Sequence, residues 1–89
     1  MYPLKHTAEQ YERVIRACER PGLEDSTDDD FVTAEEAFLE LEPSLATASL
    51  AEKFKKLGNS LDRLKQILAD LYELRNRAQR EEALERTSR

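Results

Sequence analysis

The sequence predicts an all-α protein, a small helical bundle of two short helices and one long amphipathic helix. Its 89 residues include only two glycines and three prolines, which is too few for a turn-rich β fold. Apolar residues recur at the three- and four-residue spacings of a helix face. Charged residues make up 37% of the chain and lie between them, which argues against a disordered chain. We therefore expect one helical domain over residues 1–89.

The first helix is predicted over residues 8–20. Thr7 stands at the N-cap position and Gln10 follows three residues later, which is the spacing of a capping box. Pro21 and Gly22 are expected to end the helix. One face collects its apolar residues, among them a cysteine predicted to be a buried and unreactive thiol: Tyr11, Val14, Ile15 and Cys18.

An acidic loop over residues 21–30 is expected before the second helix. That helix begins either early, capped by Thr27 or the serine before it, or late, capped by Thr33. In the early case its first turn contains aspartates, which the positive end of the helix dipole favours. Pro43 is expected to stop the helix. Its apolar residues recur at helical spacing and are Phe31, Ala34, Phe38 and Leu41.

The strongest pattern is a heptad repeat between residues 50 and 71, where apolar spacings alternate between four and three. Its phase passes through Gly58 unchanged, which favours one helix over residues 45–84, about 60 Å long at 1.5 Å per residue. The alternative is a break at Gly58, with Asn59 capping a fourth helix that closes a monomeric bundle. The repeat and the residues that widen it are Leu50, Phe54, Leu57, Leu61, Leu64, Ile67, Leu68, Leu71, Tyr72 and Leu74.

A continuous helix of that length is too long for two short helices to cover. Its apolar stripe would then need a second chain, and small domains often gain stability from such contacts. We therefore predict that these ten residues form an interface with another protein or with a second copy, as in a homodimer.

Charge is distributed unevenly along the chain. Residues 21–52 contain ten acids and no base, whereas residues 53–89 contain ten bases and six acids. One interpretation is that the two regions match each other, within the chain or across a dimer. The other is an acidic docking surface that steers a basic partner. Its residues would be Asp25, Asp28, Asp29, Asp30, Glu35, Glu36 and Glu40.

The sequence offers few residues for catalysis or metal binding. One histidine, His6, and one cysteine give neither a zinc-ligand pair nor a catalytic triad, so we expect no cofactor and no enzyme. A twelve-residue frame from Asp25 resembles an EF-hand calcium loop, with Glu36 at its last position. Asp30 occupies the position where that loop needs glycine, which disfavours calcium.

These observations predict a non-enzymatic protein-binding module, such as an adaptor, a chaperone-like protein or an inhibitor. The alternative is a nucleic-acid-related regulator, either a repressor-like dimer or an acidic nucleic-acid mimic. Direct nucleic-acid binding is disfavoured, because the isoelectric point is near 4.9. The sequence shows no signal-like or membrane-spanning apolar segment, so we expect a cytoplasmic protein with no membrane partner. At the two ends of the domain we expect an N-terminal arm over residues 1–6 and a frayed tail over residues 85–89.

Overall fold

The computed structural model describes residues 6–23, 25–41 and 47–87. These residues form no strand and confirm the predicted small all-α bundle. Their elements are α1 (Ala8–Glu19), a 3-10 turn (Arg20–Gly22), α2 (Asp28–Leu39), α3 (Ala48–Lys55) and α4 (Leu61–Thr87). The helix stop predicted at Pro43 and most of the predicted N-terminal arm lie outside the described residues. So do the last two residues of the predicted frayed tail; its first three, 85–87, belong to α4.

The start of α1 confirms the predicted capping box. The backbone N–H of Gln10 donates to Thr7 Oγ1 at 3.2 Å, and the backbone N–H of Thr7 donates to Gln10 Oε1 at 2.8 Å. These two bonds satisfy backbone donors that a helix start leaves without partners. The predicted apolar face is buried as expected, with Tyr11, Val14, Ile15 and Cys18 each at most 4% exposed.

The early start of α2 shortens the predicted acidic loop. Its first two residues belong to the 3-10 turn and its last three to α2. The Asp30 carboxylate accepts the backbone N–H of Thr27 at 3.0 Å, which fixes the helix start at Asp28. Asp30 also pairs with Arg20, whose Nε lies 3.5 Å from Asp30 Oδ1.

The prediction of one helix over residues 45–84 is wrong, because the chain turns between Lys55 and Leu61. Gly58 has a φ of 55°, a left-handed conformation that glycine adopts without steric cost. Ahead of it, the N–H of Leu57 donates to the carbonyl of Phe54 at 3.1 Å and closes the end of α3.

Ser60, rather than the predicted Asn59, caps α4. Its hydroxyl accepts the backbone N–H of Arg63 at 3.4 Å, and its carbonyl accepts the N–H of Leu64 at 3.1 Å. The Arg63 guanidinium donates to the carbonyl of Lys56 across the turn. The turn therefore satisfies backbone groups on both sides, and α3 folds back along α4.

The helices are arranged around α1, which packs against both α2 and α4, while α2 and α4 make little direct contact. α1 runs antiparallel to α4: Glu82 near the end of α4 accepts the N–H of Ala8 at 3.3 Å, and Tyr72 donates to Glu19. The rings of Phe38 and Phe54 stack with centroids 4.5 Å apart and join α2 to α3. α2 thus makes little contact with the long helix, and its outer side is exposed.

Candidate interaction surface

Most of the predicted interface residues lie inside the chain's own core. Leu61 is the exception, at 44% exposed. Three others, Leu68, Tyr72 and Leu74, are partly buried and pack against the core. The turn at Gly58 folds the heptad stripe onto the bundle, so the chain covers the surface for which a partner was expected. The remaining six are at most 3% exposed: Leu50, Phe54, Leu57, Leu64, Ile67 and Leu71.

Tyr72 is held by α1. Its hydroxyl donates to the Glu19 carboxylate, and the Arg75 guanidinium lies over its ring, 5.1 Å from the centroid. Arg75 in turn donates from Nη1 to Glu12 Oε2 at 2.8 Å. These contacts join α1 to α4, so Tyr72 contributes to the packing of the two helices.

The predicted acidic residues divide into two groups. Asp30 is partly buried by its contacts with Thr27 and Arg20, so it serves the fold, and Glu35 is partly buried as well. The other five are exposed, with one in the turn before α2 and four on α2 or at its C-cap: Asp25, Asp28, Asp29, Glu36 and Glu40.

Two exposed apolar side chains lie among these acids. Val32 is 53% exposed and Leu39 is 67% exposed, and they are one heptad apart. At 3.6 residues per turn, both lie with the four exposed acids of α2 and its C-cap in a sector of about 120°. We call this sector the acidic-apolar face; it comprises Asp28, Asp29, Val32, Glu36, Leu39 and Glu40. Sequence reasoning missed Val32 and Leu39, although both lie outside the predicted buried face of α2.

The acids of this face have no basic partner in the part of the chain that the structure describes. Among the described residues, none of its four carboxylates forms an ion pair, and α2 contains no base. The pairs that join elements use other acids: Glu12 with Arg75, Asp70 with Lys53, and Asp30 with Arg20. Charge matching among the described residues therefore does not extend to the outer side of α2, and matching across a dimer stays a prediction.

A second charged surface lies between α3 and α4. Lys53, Lys56, Arg63 and Gln66 line a cleft of about 230 Å³, which we call the basic cleft. Lys53 is paired with Asp70, but Lys56 and Arg63 form no ion pair among the described residues. The walls of such a cleft include the aliphatic stems of the basic side chains, so apolar and positively charged groups lie together.

The described residues offer no candidate cluster for metal binding. No group of three or more His, Cys, Asp or Glu side chains among them is placed to hold a metal ion. The calcium-loop frame is not formed either, because α2 makes it helical from Asp28 onward. Burial, with a smaller effect of Glu19, raises the pKa of the Cys18 thiol to about 12, so this thiol stays protonated and unreactive at neutral pH.

Comparison with family models, curated proteins and solved structures finds no match to this chain. Within the described part of the chain, no helix has the length and apolarity that crossing a bilayer requires.

Proposed function

We propose that this protein is a non-enzymatic protein-binding module that docks its partner on the acidic-apolar face of α2. The observation that carries this proposal is the exposure of Val32 and Leu39, one heptad apart, among carboxylates that form no ion pair with the residues the structure describes. Single exposed apolar residues are common on soluble proteins. Two of them at helix-packing spacing, surrounded by one sign of charge, form a surface suited to a helical or extended partner.

The chemistry of the face indicates the chemistry of its partner. Burying one half-exposed valine or leucine contributes about 1 kcal/mol, so the apolar contact alone is weak. Four carboxylates around it accelerate association with a basic partner and disfavour acidic ones. The partner should therefore present apolar side chains flanked by lysine or arginine, and the role fits an adaptor, a chaperone-like protein or an inhibitor.

The location of this binding is part of the proposal. The chain has one cysteine, Cys18, which is free and buried. Proteins that need no disulfide are suited to a reducing compartment. We propose that the protein binds its partner in the cytoplasm.

The proposal is tested by NMR titration of the isotope-labelled protein with a synthetic cationic amphipathic peptide that carries leucines one heptad apart. We expect amide shifts confined to the outer side of α2. The Val32→Ser/Leu39→Ser variant should bind roughly 30-fold more weakly, because it loses two apolar contacts of about 1 kcal/mol each.

The matched control is Leu84→Ser, which replaces an equally exposed leucine near the end of α4. This control should bind the peptide as the unchanged protein does. Amide shifts near acids on every helix, or equal affinities of the two variants for the peptide, would mean that the peptide binds through the protein's net negative charge. In that case α2 would not be a docking face.

A further inference from the structure

The basic cleft between α3 and α4 is complementary to the acidic-apolar face of α2. We propose that the partner of this face is a second copy of the chain, with Leu39 of one copy inserted into the basic cleft of the other. This inference rests on the proposed function, because it names the partner of the same face.

Charge complementarity is the first argument. Leu39 is flanked by Glu36, one turn before it, and by Glu40 at the C-cap, and neither carboxylate forms an ion pair with a described residue. In the cleft, Lys56 and Arg63 likewise have no carboxylate partner within the described ranges. Docking would give each of these four groups an opposite charge that the described part of one chain does not supply.

Apolar complementarity is the second argument. Leu39 is 67% exposed and projects from the same sector as its flanking carboxylates. The basic cleft, of about 230 Å³, admits one branched aliphatic side chain between the stems of Lys53, Lys56 and Arg63. An apolar side chain flanked by acids would thus meet an apolar cleft rimmed by bases.

A second copy is favoured over an unrelated protein because one chain carries both complementary surfaces. In a two-fold dimer each chain contributes one face and one cleft, so the same contact forms twice. A contact too weak to hold alone is strengthened by its symmetric repeat. This arrangement also explains why the chain keeps ten acids and no base over residues 21–52 next to a basic C-terminal region.

The test is the mass in solution, measured by sedimentation equilibrium at low salt over a range of protein concentrations. The mass should rise from 10.3 kDa towards twice that value, and added salt should reverse the rise. A mass of 10.3 kDa at every concentration would overturn the proposal.

Charge reversal then tests which surfaces meet. Glu36→Lys/Glu40→Lys and Lys56→Glu/Arg63→Glu should each weaken self-association by more than about tenfold. A mixture of the two variants should form a one-to-one complex, because both contacts are attractive again in the mixed pair. The control Glu9→Lys/Glu73→Lys makes the same charge change on exposed sites of α1 and α4 and should leave self-association unchanged.

Circular dichroism of each variant confirms that it is folded before its mass is interpreted. Reversed variants that still self-associate, or a mixture that stays monomeric, would reject this pairing. The peptide titration separates this failure from failure of the proposed function. If the protein is a monomer that binds the peptide on α2, the docking face stands and the second copy as partner is rejected. If it is a monomer that does not bind the peptide, both proposals are rejected.

Discussion

Arg75 of α4 donates from Nη1 to Glu12 of α1 at 2.8 Å, and the two side chains are held where the helices pack. The same guanidinium lies over the ring of Tyr72. The Tyr72 hydroxyl donates to Glu19, which lies about two turns after Glu12 on α1. This network fixes one side of α1 to the long helix. α2 packs on α1 as well, so α1 links this network to the helix that carries the acidic-apolar face.

We expect Arg75→Ala to lower the free energy of unfolding by about 1–2 kcal/mol, because it removes a partly buried charged hydrogen bond and a cation–π contact. Urea denaturation followed by circular dichroism measures the change. The control is Arg77→Ala, which removes the more exposed pair with Glu73 and should cost less than about 0.5 kcal/mol. Equal costs for the two variants would show that the Arg75 network adds nothing to stability.

We expect Gly58→Ala to destabilise the protein by about 1 kcal/mol, because its φ of 55° suits glycine and disfavours an L-residue. No atom outside its chain neighbours lies within 4 Å of an added Cβ, so the cost is one of backbone conformation. In a continuous helix the same change would stabilise the protein by about 1 kcal/mol. The sign of the change in thermal denaturation decides between the two, and D-alanine at position 58, introduced by chemical synthesis, should stabilise.

We expect stability to fall at alkaline pH. Burial raises the pKa of Cys18 from 9.0 to about 12, burial and then Glu81 raise the pKa of Tyr11, and the hydrogen bond to Glu19 raises that of Tyr72. Each group keeps its proton longer in the folded chain than in the unfolded one. Its contribution is therefore complete below the unfolded pKa and is lost as pH rises towards the folded pKa.

Urea midpoints measured from about pH 8 to about pH 11 should decline beyond about pH 9, where the unfolded thiol begins to ionise. Replacing the thiol by Cys18→Ala should remove the early part of this decline and leave the later part, which comes from the tyrosines. A stability that is flat across this range, or that rises, would contradict the burial of these groups.

We expect Asp30→Ala to cost about 1–2 kcal/mol of stability, because Asp30 closes the capping box with Thr27 and pairs with Arg20. Asp28→Ala removes an acid of the same first turn that only faces the helix dipole and should cost less than about 1 kcal/mol. Chemical denaturation compares the two. The reverse order would mean that Asp30 is a surface acid and belongs with the docking residues.

Local backbone chemistry was predictable from the sequence wherever one residue pair determines it. The capping box of Thr7 and Gln10 predicted the start of α1 correctly, and apolar spacing predicted the buried face of α1. The turn between α3 and α4 did not follow, because the heptad phase is the same in one helix and in two helices folded back on each other. Gly58 in a left-handed conformation and Ser60 as a cap decide between them, and apolar spacing reports neither.

The candidate surface was only partly predictable for the same reason. The acids of α2 were found from charge, but their two roles separate only when Asp30 is seen to cap α2 and pair with Arg20. Val32 and Leu39 become surface residues because α2 packs into the bundle through its other side, where Phe31, Ala34 and Phe38 are buried. Most residues that the heptad repeat assigned to an interface lie in the core, because the turn between α3 and α4 folds them onto the bundle.

The most direct test of this fold and of the surface it leaves open is one distance across the α3–α4 turn. Ser49 and Arg77 line the same cleft of about 270 Å³ between α3 and α4. In one continuous helix they would be about 42 Å apart at 1.5 Å per residue. Pulsed electron paramagnetic resonance on spin labels at Ser49→Cys and Arg77→Cys, in a Cys18→Ala background, should give a distance well under half that value. A distance of about 42 Å would mean that α3 and α4 form one helix. The residues of the heptad repeat would then be exposed, and the reason for placing the docking face on α2 would be lost.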